Sequence, residues 1–331
     1  MVASQRHQHY SPACLAAFFL LLASPCICAQ ANTGVAEQKE TIQQKDSIQS
    51  RPRLRVESSL VTLDVTVLTP SGYFVPELKK ENFRVLDNGL PQTITAFGEI
   101  SAPITAVLLV EHSAATEGLQ AHALIACHRF LQVLQRDDWA ALVAFDKRPQ
   151  LAQDFTQDKT AVQEALRNLG FPLSREINLF DALTDTLDRL RQVEGRKYII
   201  LVATGQDTFS KKILDEVYKK VETAHGTVIY VVDTDPARRN LQADNQMRTF
   251  ARMTGGQFYF ASSLEEYGDV FTDIAKSVRN RYTLAFRPSN RGSLGSWHKL
   301  KVEVINPDEK GHNRRYQVLA REGYRVNPQV K

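Results

Sequence analysis

The sequence has few of the residues that build scaffolds held together by disulfides or metals. Only four of its 331 residues are cysteine, and three of them, Cys14, Cys26 and Cys28, lie near the amino terminus. The remaining one, Cys127, stands in an apolar helical pattern that predicts a small buried side chain. The other three lie in the segment that we predict below to be a cleaved signal peptide, so the mature protein would keep only Cys127. Because one cysteine forms no internal disulfide, we expect hydrophobic burial to supply the core.

Several signatures of catalysis and phosphate binding are missing from the sequence. It contains neither a Gly-x-x-x-x-Gly-Lys-Ser/Thr phosphate loop nor the Gly-x-Gly-x-x-Gly fingerprint of dinucleotide-binding proteins. The Gly-x-Ser-x-Gly elbow of serine hydrolases, the metalloprotease helix and any cluster of Cys and His are absent as well. These absences argue against the common nucleotide-dependent, hydrolytic and zinc-dependent enzymes.

The chain also lacks a strong excess of charge of either sign. Its 41 Lys and Arg residues are offset by 37 Asp and Glu residues, which leaves a formal net charge of +4. Basic doublets such as Lys211-Lys212 and Arg238-Arg239 are typical of a solvated helix face or loop. A nucleic-acid-binding surface needs a larger basic patch, so we predict no nucleic-acid partner.

The apolar run near the start of the sequence covers only residues 13–23, which is short for a membrane-spanning helix. It follows a basic segment and precedes the small residues Ala29 and Ala31, which is the layout of a secretory signal peptide. We therefore predict a signal peptide over residues 1–31 and an exported protein, either periplasmic or extracellular. An uncleaved signal anchor is the alternative, and it would give the protein its one contact with a membrane.

The rest of the sequence divides by the period of its apolar residues. Polar residues fill 32–53, which we predict to be a disordered linker. Residues 54–101 and 281–328 have period two, as in antiparallel strands, whereas residues 102–280 alternate strand-like and helix-like patterns. Neither flank has enough strands for a stable core of its own. We therefore predict a doubly wound α/β domain, with a mostly parallel sheet and helices on both faces, inserted in a small antiparallel β-sandwich.

The run Ile104–Val110 is typical of a strand buried on both faces at the centre of a parallel sheet. It stops at Glu111, and His112 and Ser113 follow. Because ligands of open α/β sheets lie beyond the carboxyl ends of the strands, any site should be sought here first. From the residues alone we interpret Glu111, His112 and Ser113 as solvated loop residues. A serine hydrolase built on Ser113 is an alternative, but it needs a base that is itself oriented by an acid.

Several stretches of the chain resemble the bacterial VWFA-related family of von Willebrand factor A-type domain proteins, which is found widely in Acidobacteria. The resemblance runs from about Arg55 to Val326 and is carried by Phe83–Gly89, Asp138–Phe145, Asp154–Thr156, Leu179–Leu183, Met253–Gly256 and Tyr282–Phe286. It implies the A-type fold for residues 102–280. It also implies a secreted, non-enzymatic module that binds a protein partner through the loops at the carboxyl edge of the sheet, which we call the apex.

The resemblance extends to the family's metal-ion-dependent adhesion site, but most of its ligands are replaced. The family's Asp-x-Ser-x-Ser falls on Glu111, Ser113 and Ala115. Its Thr falls on Ile177 and its second Asp falls on Thr204. Ser113 alone keeps the family's residue. Because Mg²⁺ demands near-ideal octahedral oxygen geometry, we expect a degenerate site and no cofactor.

Two hypotheses stand beside this interpretation of a metal-free apex. One is a metal-dependent adhesion protein whose remodelled site binds Mg²⁺ or another divalent cation through Glu111, Ser113, Thr204 and Asp207, and the other is the serine hydrolase. The predicted ligand-binding apex comprises Glu111, His112, Ser113, Ala115, Ile177, Thr204 and Asp207.

Overall fold

The computed structural model describes residues 60–99, 102–116, 120–172, 174–234, 240–290, 292–306 and 314–326. All of them belong to one unit of the chain. The predicted signal peptide and linker lie outside these residues, so both stay predictions. The domain limits at residues 102 and 280 likewise stay predictions.

The elements follow the predicted order of strands, alternating strands and helices, and strands again. The first flank forms β1 (Val61–Leu68), β2 (Phe83–Asp87), β3 (Leu90–Gln92) and β4 (Ile94–Glu99). The central block forms β5 (Ile104–Glu111), α1 (Gln120–Val133), β6 (Trp139–Phe145), β7 (Pro149–Thr156), α2 (Lys159–Arg167), α3 (Leu179–Arg191), β8 (Arg196–Ala203), α4 (Leu214–Thr223), β9 (Thr227–Asp233), α5 (Leu241–Thr254), β10 (Phe258–Phe260) and α6 (Leu264–Arg279). The second flank forms β11 (Tyr282–Phe286), β12 (Trp297–Val304), β13 (Gln317–Leu319) and β14 (Gly323–Arg325). Short 3₁₀ turns cover Lys80–Asn82 and Ala114–Thr116.

The central sheet has six strands in the order β10-β9-β8-β5-β6-β7, and only the edge strand β7 is antiparallel to its neighbour. Every residue of β5 is buried, because helices cover both faces of the sheet. Side chains alternate along a strand, so Leu108 packs with α1, α2 and α6 while Leu109 packs with α3, α4 and α5. The predicted doubly wound α/β fold is confirmed.

Two four-stranded antiparallel sheets form the sandwich, in the orders β13-β1-β11-β4 and β14-β12-β2-β3. Each sheet joins strands from both flanks, since β1 pairs with β11 and β2 pairs with β12. In the shared core the ring of Tyr282 lies 5.5, 5.2 and 5.8 Å from the rings of Phe74, Phe83 and Phe97. The predicted insertion of the α/β block in an antiparallel β-sandwich is therefore confirmed.

Some element limits differ from those that the sequence predicts. The sequence pattern predicts a helix over Lys211–Ala224. In the structure this helix begins at Leu214, because the Asp181 carboxylate accepts hydrogen bonds from the backbone N–H groups of Lys211 and Lys212. Strand β14 has no counterpart in the predicted strands, since three residues show no periodicity. Within the described ranges, none of the helices is both long and apolar enough to cross a membrane.

Ion pairs join the α/β block to the sandwich at the edge of the sheet opposite the apex. Arg325 of β14 pairs with Glu222 near the end of α4. Arg252 near the end of α5 holds its Nε 3.0 Å from Glu322 Oε1. Both helices run away from the apex, because each follows a strand that runs toward it. The apex is therefore free of these contacts with the sandwich.

Asp138 is a fully buried carboxylate that holds three elements together. It accepts hydrogen bonds from the backbone N–H of Ile104 at 3.0 Å and of Gln135 at 2.6 Å, and it pairs with Arg279. We predict that Asp138→Ala lowers the free energy of unfolding by about 3–5 kcal/mol, because it leaves a partly buried cation and two backbone donors without their acceptor. Urea denaturation measures the change. Asp137→Ala, at an exposed neighbouring position, is the control and should cost less than about 0.5 kcal/mol. Equal stabilities of the two variants would contradict this role of Asp138.

Candidate functional site

The apex lies at the carboxyl ends of β5, β6, β8, β9 and β10, together with residues 168–172 and 174–178 between α2 and α3. Backbone hydrogen bonds connect three of its segments directly. The Ala114 N–H donates to the Ser174 carbonyl at 2.8 Å, and the Thr208 N–H donates to the Ile177 carbonyl at 2.8 Å. The segments after β5 and β8 are therefore both bonded to the segment before α3.

Glu111, at the end of β5, connects two of these loops through its carboxylate. The side chain is only 3% exposed. Its Oε1 accepts a hydrogen bond from Ser113 Oγ at 2.7 Å, and its Oε2 accepts from the backbone N–H and from Oγ1 of Thr204, both at 2.8 Å. We call this group of Glu111, Ser113 and Thr204 the carboxylate knot. It satisfies a buried carboxylate with donors from the loops after β5 and β8, which fixes the two loops relative to each other.

The prediction that Glu111, His112 and Ser113 are solvated loop residues is wrong. Their exposed fractions are 3%, 9% and 0%. Neighbouring Ala115 is half-buried, packs against the core beneath the loop and donates its N–H to Ser113 Oγ at 3.3 Å. The chain does not leave the core after β5, because the knot and the bond to Ser174 hold this loop against the neighbouring loops.

His112 is directed toward the loop after α2. Its backbone N–H donates to the Phe145 carbonyl at 2.7 Å, and its imidazole hydrogen-bonds to the Leu169 backbone. Burial lowers the pKa of His112 below its ordinary value, and Leu169 together with the nearby Asp146 offsets part of that effect. The Ser113 hydroxyl directs its proton to Glu111, so these neighbours are not arranged as the nucleophile and base of a hydrolase.

Ile177 is 1% exposed and belongs to the core under α3. Its backbone still contributes to the apex, because its N–H donates to Thr208 Oγ1 at 2.8 Å and its carbonyl accepts from the N–H groups of Thr208 and Phe209. Its side chain offers no oxygen to a ligand. The position therefore supports the loop after β8 from below.

Asp207 caps the start of α3 from a neighbouring loop. Its Oδ1 accepts hydrogen bonds from the backbone N–H groups of Leu179 at 2.8 Å and Phe180 at 3.2 Å, and from Ser210 Oγ at 2.5 Å. A carboxylate at a helix N-terminus also interacts favourably with the helix dipole. The structure thus brings Glu111, Ser113 and Thr204 together, while it engages Asp207 at α3.

This donor set does not fit a hard divalent cation. Both oxygens of Glu111 already accept hydrogen bonds from Ser113 and Thr204. Ala115 and Ile177 bring no side-chain oxygen, and Asp207 Oδ1 is committed to α3. Among the residues that the structure describes, no group of three or more His, Cys, Asp and Glu side chains is arranged to hold a metal ion. Mg²⁺ would require several of these bonds to break and the oxygens to regroup as an octahedron.

The side chains that reach the surface of the apex are mostly ones that the sequence analysis did not select. Phe171 is 90% exposed in the loop before α3, and Phe209 and Ile213 are 42% and 62% exposed in the loop after β8. Leu241, at the start of α5, is 72% exposed. The sequence does contain an indication that Phe171 is exposed. It stands between a glycine and a proline, where no helical or strand periodicity explains an aromatic residue.

The sequence carries the signature of the fold that these elements build. The family model of the von Willebrand factor type A domain matches residues 107–273, just over half of the chain. The chain belongs to the von Willebrand factor type A domain family. Its A-type domain contains β5, the carboxylate knot and the helices on both faces of the sheet. Domains of this family are typically protein-interaction modules, which is consistent with a protein partner.

Solved structures with a similar fold include other A-type domains. The vWF domain of the type V pili tip protein Mfa5 from Porphyromonas gingivalis is 13% identical, with a TM-score of 0.47 over 54% of this chain and 96% of that one. The von Willebrand factor type A protein from Catenulispora acidiphila is 9% identical, with a TM-score of 0.45 over 81% of this chain and 75% of that one. Comparison with curated proteins gave no match. The family assignment therefore rests on the sequence match.

The lowered pKa of His112 predicts that the free energy of unfolding depends on pH. Because this pKa is lower in the folded protein than the ordinary 6.5, the unfolded chain binds the proton first as the pH falls through 6.5. The free energy of unfolding should therefore decline with falling pH. We predict a shallower decline, between about pH 7.5 and pH 5.5, for His112→Gln, which keeps a donor for Leu169 but does not titrate. Urea denaturation of both chains at matched pH measures the slopes, and equal slopes would contradict the prediction.

Proposed function

We propose that the protein is a secreted, non-enzymatic module that binds a protein partner through the apex of its A-type domain, without a metal ion. The observation that carries the proposal is the division of the apex into two layers. The polar residues of the carboxylate knot bond to each other in the interior, whereas large apolar side chains such as Phe171 are exposed at the surface. Secretion is supported by the signal-peptide pattern of residues 1–31.

The exposed apolar side chains support a role in binding. Single exposed apolar residues are common on proteins, but Phe171, Phe209 and Ile213 lie on loops at one edge of the sheet, and Leu241 begins a helix at the same edge. Aromatic side chains contribute much of the free energy at interfaces because they bury a large apolar area, worth roughly 25 cal/mol per Å². Contact with a partner would remove this area from water.

The hydrogen bonds of the interior layer are evidence for the proposal that the module binds no metal and catalyses no reaction. Glu111 has its donors within the protein, so a cation would have to displace Ser113 and Thr204. Ser113 is 0% exposed and its proton is directed to Glu111, so it cannot reach a substrate as a nucleophile in this arrangement. The knot therefore serves as the support of the loops.

Affinity capture tests the apex as the binding surface. The full chain is used as bait for the exported proteins of the source organism, and captured proteins are identified by mass spectrometry. We predict that Phe171→Ser loses the specific partner, because it removes an exposed apolar anchor. Leu294→Ser is the matched control, since Leu294 is 70% exposed in a sandwich loop. Equal capture by the two variants would mean that the partner does not bind at Phe171 and would overturn the proposal.

Metal independence is tested by thermal unfolding of the full chain. A metal ion at about a hundred times its Kd that binds only the folded state would add about 2.7 kcal/mol, or several degrees in melting temperature. We predict that melts in EDTA and in millimolar Mg²⁺ or Mn²⁺ superimpose. A metal-dependent rise would instead support the metal-dependent adhesion hypothesis, with Glu111, Ser113, Thr204 and Asp207 as ligands.

The matched variant for this experiment restores the family's ligand set. It combines Glu111→Asp, Ala115→Ser, Ile177→Thr and Thr204→Asp in the full chain. We expect it to acquire a metal-dependent rise in melting temperature that the natural chain lacks, because it regains the second carboxylate and the missing hydroxyls. Such a rise would show that the assay can detect a metal ion bound at the apex.

A further inference from the structure

We propose that the partner contacts the apex with an acidic protein segment that carries an apolar side chain, and that exposed Lys and Arg side chains of the apex bind its carboxylates. The inference rests on the proposed function of the apex and adds the chemistry of the partner. Its basis is an asymmetry at this surface. Most of the carboxylates are committed to bonds within the protein, whereas most of the cations are uncommitted.

Exposed cations lie on the loop of Phe209 and on the neighbouring loops of the apex. Lys147 Nζ lies 4.6 Å from the centroid of the Phe209 ring and 2.7 Å from Glu176 Oε2. Arg148 follows Lys147 in the chain, Arg175 precedes Glu176, and Lys211 and Lys212 follow Phe209 closely. The side chains of Arg148, Arg175, Lys211 and Lys212 are exposed and have no hydrogen-bond or ion-pair partner in the described part of the chain, although the charge of Lys212 interacts with Asp181 and Asp185. Four charged donors therefore face water on these loops.

The carboxylates of the same surface are engaged with backbone N–H groups. Asp207 caps α3, and Asp146 accepts from the Arg148 N–H at 3.3 Å. Asp181 accepts from the N–H groups of Lys211 and Lys212. Although burial alone would raise its pKa, these N–H groups, with the Asn178 side chain and the Lys212 charge, outweigh burial and lower the pKa of Asp181.

Three further acidic residues complete the count of the surface, two at the start of α4 and one on α3. Glu216 accepts from the Ile213 N–H at 3.0 Å. Asp215 and Asp185 are exposed carboxylates for which the described residues provide no hydrogen bond or ion pair. Two uncommitted carboxylates thus stand against four uncommitted cations. A partner that brings carboxylates would find free donors, whereas a basic partner would have to compete with backbone N–H groups for their acceptors.

The geometry also favours an apolar residue within the acidic segment. Interfaces commonly place an apolar anchor at the centre and charged residues at the rim, where the charges select the partner. Here Phe171 and Phe209 provide apolar area, and Arg175, Lys211 and Lys212 stand on the same two loops. Exposed ion pairs individually contribute little to affinity, so the apolar anchor must supply affinity while the cations supply selectivity.

A library of short random peptides, displayed on phage and selected on the full chain, tests the chemistry of the partner. We expect the selected peptides to be enriched in Asp and Glu and to contain a Phe, Leu or Trp. Affinity is then measured by fluorescence anisotropy with the most enriched peptide as probe. Raising the salt from about 0.01 M to about 1 M shortens the Debye length from about 30 Å to about 3 Å and should weaken its binding.

The decisive variant reverses two cations, Lys211→Glu with Lys212→Glu. We expect it to bind the probe about tenfold or more weakly, a loss of about 1.4 kcal/mol or more. Its matched control is Lys79→Glu with Lys80→Glu, an exposed pair of adjacent lysines on the sandwich, which makes the same change in net charge and should leave the affinity unchanged. Equal weakening in both pairs would overturn the inference, because the effect would then follow net charge alone.

Other outcomes separate this inference from the proposed function. If Phe171→Ser abolishes probe binding but the Lys211 and Lys212 reversal does not, the apex binds protein and the acidic partner is wrong. If selected peptides lack acidic enrichment, the inference likewise fails. Heparin that binds as tightly as the probe, with the same dependence on Lys211 and Lys212 but none on Phe171, would assign the cations to a polyanion and overturn the acidic protein segment. If none of these variants changes binding, the apex is not the binding surface and both proposals fail.

Discussion

The structure of the apex depends on one constraint, the need of the buried Glu111 carboxylate for donors inside the protein. A buried carboxylate without hydrogen-bond partners is strongly disfavoured, and Ser113 and Thr204 supply the donors here. Because these residues follow β5 and β8, the same bonds that satisfy the charge also hold the two loops together. Ala114 and Ser174 extend this connection to the loop before α3.

This internal bonding separates the support of the apex from the surface that a partner can touch. The hydrogen bonds of Glu111, Ser113, Thr204 and Asp207 are made below the surface, where they fix backbone geometry. The exposed groups on the same loops are aromatic, aliphatic and cationic side chains, which need no fixed metal to make contacts. The proposed function implies that an A-type domain can keep its scaffold while the chemistry of the apex changes from metal coordination to direct side-chain contact.

The strand pairing of the sandwich can be predicted from the pattern of apolar residues alone. Period-two segments on both sides of the α/β block cannot bury their apolar faces separately, so pairing between β1 and β11 and between β2 and β12 follows from hydrophobic burial. The limits of short elements cannot be predicted in this way. Strand β14 has only three residues, and the start of α4 is shifted by the Asp181 carboxylate, which is distant in the sequence. Local propensity gives no account of either.

The amino-acid sequence by itself determined the fold, because the period of its apolar residues distinguishes buried parallel strands, covering helices and antiparallel flanks. It also predicts a site at the end of β5, since the apolar run stops there, and the resemblance to the family implies that four of the five ligand positions are altered. Only the tertiary structure decided the environment of Glu111, His112 and Ser113. Their donors and acceptors lie on loops far along the chain, at Thr204 and Leu169 among others, so adjacent polar residues that look solvated in sequence are buried in the fold. Burial and hydrogen bonding are properties of neighbours in space, and the period of a sequence carries no information about which loops will meet.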